Sequence, residues 1–106
     1  MQEMEMTTGE VKEKLDRGDK FVLLDVREPN EYERVHLEGA TLIPLDQLQQ
    51  RVAELNKDEE VVIYCHHGSR SLQAARYLQA SGYKAHSMNG GIEDWAEKID
   101  PTLPRY

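Results

Sequence analysis

Two short stretches set the limits on what this chain can fold into. Phe21-Val22-Leu23-Leu24 and Val61-Val62-Ile63-Tyr64 are unbroken apolar runs, followed at once by Asp25 and Cys65. A strand with one wet face alternates apolar and polar residues. A continuous run instead reads as a strand covered on both faces, as in a parallel sheet. The segments around these runs carry helical spacing. Thr7 to Arg17 predicts a helix: Thr7 and Glu10 have capping-box spacing, Val11 and Leu15 share a face, and Gly18 ends it. Leu45, Leu48, Val52 and Leu55 form one helical stripe. Ser71 to Ala80 places Leu72, Ala75 and Leu78 on another, capped by Gly82, and Ile92, Trp95, Ala96 and Ile99 mark a last helix. Pro29 suits the first position of a short helix. Thr41-Leu42-Ile43, stopped by Pro44, and the weaker Lys84 to Met88 read as strands, and Met4-Glu5-Met6 as a short edge strand.

This alternation predicts an α/β fold: a central, mostly parallel sheet of about five strands with helices on both faces. The strands' carboxyl ends then share one rim, where such folds bind ligands, so Asp25 and Cys65 are expected there together. A chain of 106 residues has room for one domain, read as 1–106 with terminal tails at 1–3 and 101–106. The longest apolar run, Val61 to Cys65, has five residues. A membrane-spanning helix needs about 20, so no membrane partner is expected. The acidic start, Met1-Gln2-Glu3-Met4-Glu5, is not a signal peptide. A net charge of −7 argues against nucleic acid as a partner, because that binding relies on Lys and Arg. One cysteine excludes an internal disulfide and suits a cytoplasmic location.

That cysteine opens the most informative segment, Tyr64-Cys65-His66-His67-Gly68-Ser69-Arg70-Ser71. A buried strand delivers a thiol, a short loop follows, and a helix begins at about Arg70 or Ser71. Gly68 permits a positive φ, so the loop can curl with its amides inward as an anion-binding nest. The helix start adds partial positive charge, and His66, His67 and Arg70 add donors or charge beside it. Such surroundings favour the thiolate, the nucleophilic form. A plain core cysteine is the competing reading, but the five residues after Cys65 contain no large apolar side chain. A metal site is the other rival. Consecutive Cys65, His66 and His67 converge poorly on one ion, there is no second cysteine, and His36 and His86 read as structural or solvent-facing. No metal or cofactor is therefore expected.

Taken together, the segments resemble the rhodanese family, specifically its single-domain members. Cys65-His66-His67-Gly68-Ser69-Arg70-Ser71 is similar to the family's Cys-x-x-Gly-x-Arg-Ser loop. Leu24-Asp25-Val26-Arg27-Glu28 with Glu31-Tyr32 resembles its amino-terminal signature, and His36-Leu37-Glu38-Gly39-Ala40 its Gly-His-Ile-Pro-Gly-Ala segment. Gly90-Gly91-Ile92-Glu93-Asp94-Trp95 resembles its Gly-Gly-x-x-x-Trp element. Val35 stands where the family usually has Gly, and Glu38 where it often has Pro.

The resemblance implies a sulfurtransferase that works through a persulfide on Cys65. The donor would be a small anion, thiosulfate or a persulfide. The acceptor would be cyanide in the usual assay, and a thiol or protein partner in the cell. It implies that the loop residues His66, His67, Gly68, Ser69 and Arg70 bind substrate, with Arg70 bracing the loop and attracting an anionic donor. Asp25, Arg27 and Ser71 are the supporting residues, with Asp25 and Arg27 holding neighbouring loops together. Phosphatases and arsenate reductases of this fold have one more residue between Cys and Arg than the four between Cys65 and Arg70. The other reading is a sulfur carrier that hands persulfide to a partner, since Asp100 to Tyr106 resembles the ending of rhodanese domains fused to adenylating enzymes.

Overall fold

A computed structural model describes residues 4–106, so the expected tail at 1–3 lies outside the described residues. Strands β1 (Glu5–Met6), β2 (Val22–Asp25), β3 (Thr41–Leu42), β4 (Glu60–Tyr64) and β5 (Lys84–Met88) form one sheet in the order β1-β5-β4-β2-β3. Every pairing is parallel. The helices are α1 (Thr8–Arg17), α2 (Pro29–Arg34), α3 (Leu48–Arg51), α4 (Ser69–Ala80) and α5 (Gly91–Lys98).

The apolar runs behave as double-faced strands. Leu24, Val61 and Ile63 point into a cluster with Leu48, Ala74, Ala75 and Leu78, on the side of α3 and α4. Leu23, Val62 and Tyr64 point into the opposite cluster with Val11, Ile92 and Trp95, on the side of α1 and α5. Each fully buried aliphatic side chain stabilises the fold by about 1.5–3 kcal/mol before entropy is counted.

Local chemistry sets the ends. The Thr7 and Glu10 capping box is present in both directions, and Gly18 at φ +74 closes α1. Leu15, expected on the buried face beside Val11, is exposed instead, so α1 buries only its first turns. The expected helix over Leu45 to Leu55 is broken into a 3-10 turn (Leu45–Gln47), α3, and a second 3-10 turn (Val52–Glu54). Gln47 and Arg51, at φ −104 and −110 with ψ near zero, interrupt the α geometry. The three-residue steps from Leu45 to Leu48 and from Val52 to Leu55 fit the tighter coil. Val35 has φ −165, an extended conformation open to any residue, so the absence of glycine there carries no strain.

The register sets Asp25 opposite Tyr64, and the Val26 N–H donates to the Tyr64 carbonyl at 3.2 Å. The ends of β2 and β4 are therefore neighbours on one rim. Residues 101–106, expected as a tail, turn back on the domain, and Leu103 and Tyr106 pack against the α1–α5 cluster.

Candidate active site

Cys65 follows the last residue of β4 and is 1% exposed. Its Sγ accepts N–H hydrogen bonds from Gly68 at 3.1 Å and Ser71 at 3.3 Å. Gly68, at φ +112, is the N-cap of α4, and this left-handed turn lets the helix begin at Ser69, earlier than expected. The sulfur thus sits at the positive end of a helix that can stabilise negative charge on it.

Behind the sulfur lies a hydroxyl pair. Ser71 Oγ is 3.5 Å from Cys65 Sγ, 3.1 Å from the Gly68 carbonyl oxygen and 2.7 Å from Ser87 Oγ. One hydrogen arrangement satisfies all three contacts: the thiol donates to Ser71, Ser71 to the Gly68 carbonyl, and Ser87 to Ser71. Once the thiol loses its proton, the Ser71 hydroxyl can turn to the sulfur while Ser87 still donates to it.

A second helix start holds the loop from outside. The Ile92 N–H donates to the Cys65 carbonyl at 2.9 Å and the Glu93 N–H to the His66 carbonyl at 3.1 Å. This uses two of the amides that a helix start leaves unpaired. The approach demands glycine. A Cβ on Gly91 would overlap the His66 carbonyl oxygen and lie 2.5 Å from that of Cys65.

Arg70, expected to brace the loop, is held by a carboxylate of α2. Its guanidinium meets Glu31 fork to fork, Nη1 to Oε1 at 2.6 Å and Nη2 to Oε2 at 3.0 Å. The hydrogen bonds from Arg70, with help from the Glu28 N–H and the Tyr106 hydroxyl, hold the Glu31 carboxyl down at about 2, against the opposing effect of burial. Glu93 also faces His66, Oε1 to Nε2 at 3.9 Å. The Arg70 charge is thus paired, and the backbone amides of Gly68 and Ser71 are the donors that reach the sulfur.

The supporting residues are buried. Arg27 and Asp25 form a fully enclosed ion pair, Nε to Oδ1 at 2.9 Å and Nη2 to Oδ2 at 2.6 Å. Burial acts to lower the Arg27 pKa, but hydrogen bonds to Asp25 and Tyr106 raise it above its ordinary value. Arg27 also donates to the Val35 carbonyl at 2.7 Å, tying the end of β2 to the chain after α2.

His66 stacks on Tyr106 and meets His67 at a tilt, with its centroid 4.0 Å from each of those rings. Its Nε2 is buried without a hydrogen bond. Burial, then the neighbouring His67, lowers its pKa, against the opposing pull of Glu93 and Glu31. His67 and Ser69 are exposed. A cleft of about 500 Å³ opens beside Arg70, lined by Val26, Leu45, Leu48, Gln73 and Tyr77. Cys65 does not line it.

Sequence reasoning gave no role to three residues of this site. Glu31 was visible only as part of a signature. Ser87 is a small polar residue within a buried strand, a signal that could have drawn attention. Tyr106 lies 79 positions from Arg27, whose Nη1 donates to its hydroxyl at 2.7 Å, and no local pattern links the two.

Known proteins can be set beside this geometry. The sequence model of the rhodanese-like domain matches residues 7–98. A sulfurtransferase of Allochromatium vinosum is 34% identical over 100 residues, covering 93% of this chain and 94% of its own length. YrkF of Bacillus subtilis, named as a candidate sulfur carrier protein, is 38% identical over 97 residues, 91% of this chain, yet this chain spans only 52% of YrkF. The crystal structure of a rhodanese-like domain protein from Staphylococcus aureus superposes with a TM-score of 0.85 at 32% identity, covering 98% of this chain and 99% of that one. Sulfur transfer in general is the chemistry these relatives' names describe. With the match spanning α1 to α5 and the cysteine loop seated at the shared rim of a parallel sheet, the chain belongs to the rhodanese-like domain family.

Proposed function

We propose that the protein is a sulfurtransferase in which Cys65 carries sulfur as a persulfide. The observation that carries this reading is the only thiol of the chain, held by two inward amides at the start of α4. In the first half-reaction the Cys65 thiolate attacks the outer sulfur of thiosulfate. A Cys–S–S bond forms, the S–S bond of thiosulfate breaks, and sulfite leaves with the bonding pair. In the second, an acceptor such as cyanide or a thiolate attacks the outer sulfur, and Cys65 leaves as thiolate. Two half-reactions through a covalent intermediate give ping-pong kinetics. The amides hold the persulfide anion as an oxyanion hole holds developing charge. The pairing of Arg70 with Glu31 favours a site that accepts persulfide donors as well as thiosulfate, since the Arg70 guanidinium is already engaged by a carboxylate.

Mass spectrometry after thiosulfate treatment tests the reading. The expected result is a gain of one sulfur atom that disappears in Cys65→Ala. Absence of that adduct with both thiosulfate and a low-molecular-weight persulfide would overturn it.

A second reading, a carrier that loads sulfur and releases it only to a protein partner, is favoured by the name and the greater length of YrkF. Steady-state turnover separates the two. Many thiosulfate:cyanide cycles per enzyme support the transferase, and one stoichiometric load with slow release supports the carrier.

A further inference from the structure

We infer that Tyr106 is a positioning residue for the Cys65 loop, an inference that rests on reading that loop as the sulfur-transfer site. Its hydroxyl accepts from Arg27 Nη1 at 2.7 Å and donates to Glu31 Oε2 at 2.8 Å. A guanidinium can only donate and an ionised carboxylate can only accept, so this polarity is fixed. One hydroxyl therefore joins two ion pairs, Asp25–Arg27 at the end of β2 and Glu31–Arg70 at the loop. The ring of the same residue stacks on His66 with an interplanar angle of 11°. Tyr106 thus fixes position 66 directly and position 70 through Glu31. His66 and Arg70 bracket Gly68, and Arg70 adjoins Ser71, the two residues whose amides reach the sulfur.

The segment carrying Tyr106 is itself anchored. Arg105 ion-pairs with Glu93, in the first turn of α5, and Leu103 packs against the α1–α5 cluster. The guanidinium carbons of Arg27 and Arg34 lie 5.7 and 5.9 Å from the Tyr106 ring centroid, within cation–π range. Residues 103–106 form a strap from α5 across the loop to α2. A strap of this kind acts by holding reacting groups in place, where small displacements are costly in rate.

The test uses Tyr106→Phe and Tyr106→Ala in the full chain, with three readouts. Alkylation by iodoacetamide reports on Cys65 alone, because the chain has no other thiol. Ring-proton shifts of His66 report the stacking. The kcat and KM for thiosulfate report the chemistry. Tyr106→Phe is expected to keep the His66 shifts and lower kcat/KM about threefold, whereas Tyr106→Ala moves the His66 shifts, speeds Cys65 alkylation at least about threefold and lowers kcat/KM about tenfold or more. Wild-type alkylation, His66 shifts and kcat/KM in both variants would overturn the inference. So would activity that falls only in step with thermal stability while the His66 shifts stay unchanged. Alkylation and ring shifts need no sulfur donor, so they decide the role of Tyr106 even if wild-type Cys65 accepts no sulfur.

Discussion

At the scale of single residues, the chemistry proposed for Cys65 depends on neighbours that neutralise one another. Asp25 and Arg27 are both fully buried, and among the described residues each is the other's ion-pair partner. Removing one partner strands the other charge, so Asp25→Ala is expected to lower unfolding free energy by about 3–5 kcal/mol, measured by denaturant titration. A change below about 1 kcal/mol would mean that Arg27 finds other partners. Ser71 makes a finer point. Ser71→Ala keeps the backbone amide and removes the hydroxyl, so persulfide should still form on Cys65 but more slowly, followed by mass spectrometry over time. An unchanged loading rate would show that the amides alone hold the sulfur. Glu31 titrates in the acid range. Its folded value of about 2 lies below the ordinary 4.5, so the stability it contributes is complete above 4.5 and lost as pH falls toward 2. Glu31→Gln should therefore flatten the decline of melting temperature over that window, and a slope equal to wild type would contradict the pairing with Arg70.

At the scale of elements, much was legible because each signal is local. Phe21–Leu24 and Val61–Tyr64 advertise double-faced strands, and Thr7 with Glu10 advertises a helix start. The helix over Leu45 to Leu55 was misread because a stripe of apolar residues fits both 3.6 and 3.0 residues per turn over so short a span. Cys65, Gly68 and Ser71 were legible as a loop unit because they are close in sequence. Ser87 and Tyr106 were not, since only the pairing of β4 with β5 and the return of the chain end bring them to the site. The same long-range contact explains why α5 matters to a loop it does not belong to. Gly91→Ala would force the α5 start away from the Cys65 and His66 carbonyls. It is expected to cost more than the roughly 1 kcal/mol of a typical substitution and to lower sulfur loading of Cys65. Full stability and activity in Gly91→Ala would show that the α5 contact is dispensable.

At the scale of the whole molecule, the surplus of acidic residues and the neutralised loop share a consequence. With a net charge of −7 and the Arg70 guanidinium paired with Glu31, long-range attraction does little to gather anionic donors. The rate of thiosulfate loading should rise with added salt as repulsion is screened, and a fall with salt would reveal a positive field at the rim instead. The sheet's borders add a different constraint. Its outermost strands, β1 and β3, are two residues each among the described residues, so each presents only a short backbone edge of its own. Longer bare edges recruit strands from other chains and lead to aggregation. Here the short edges limit strand addition, and under the proposed function a protein that exchanges sulfur would meet the chain at the rim beside Cys65. Such an encounter would rest on side chains and loops and would end as soon as a sulfur atom had changed hands.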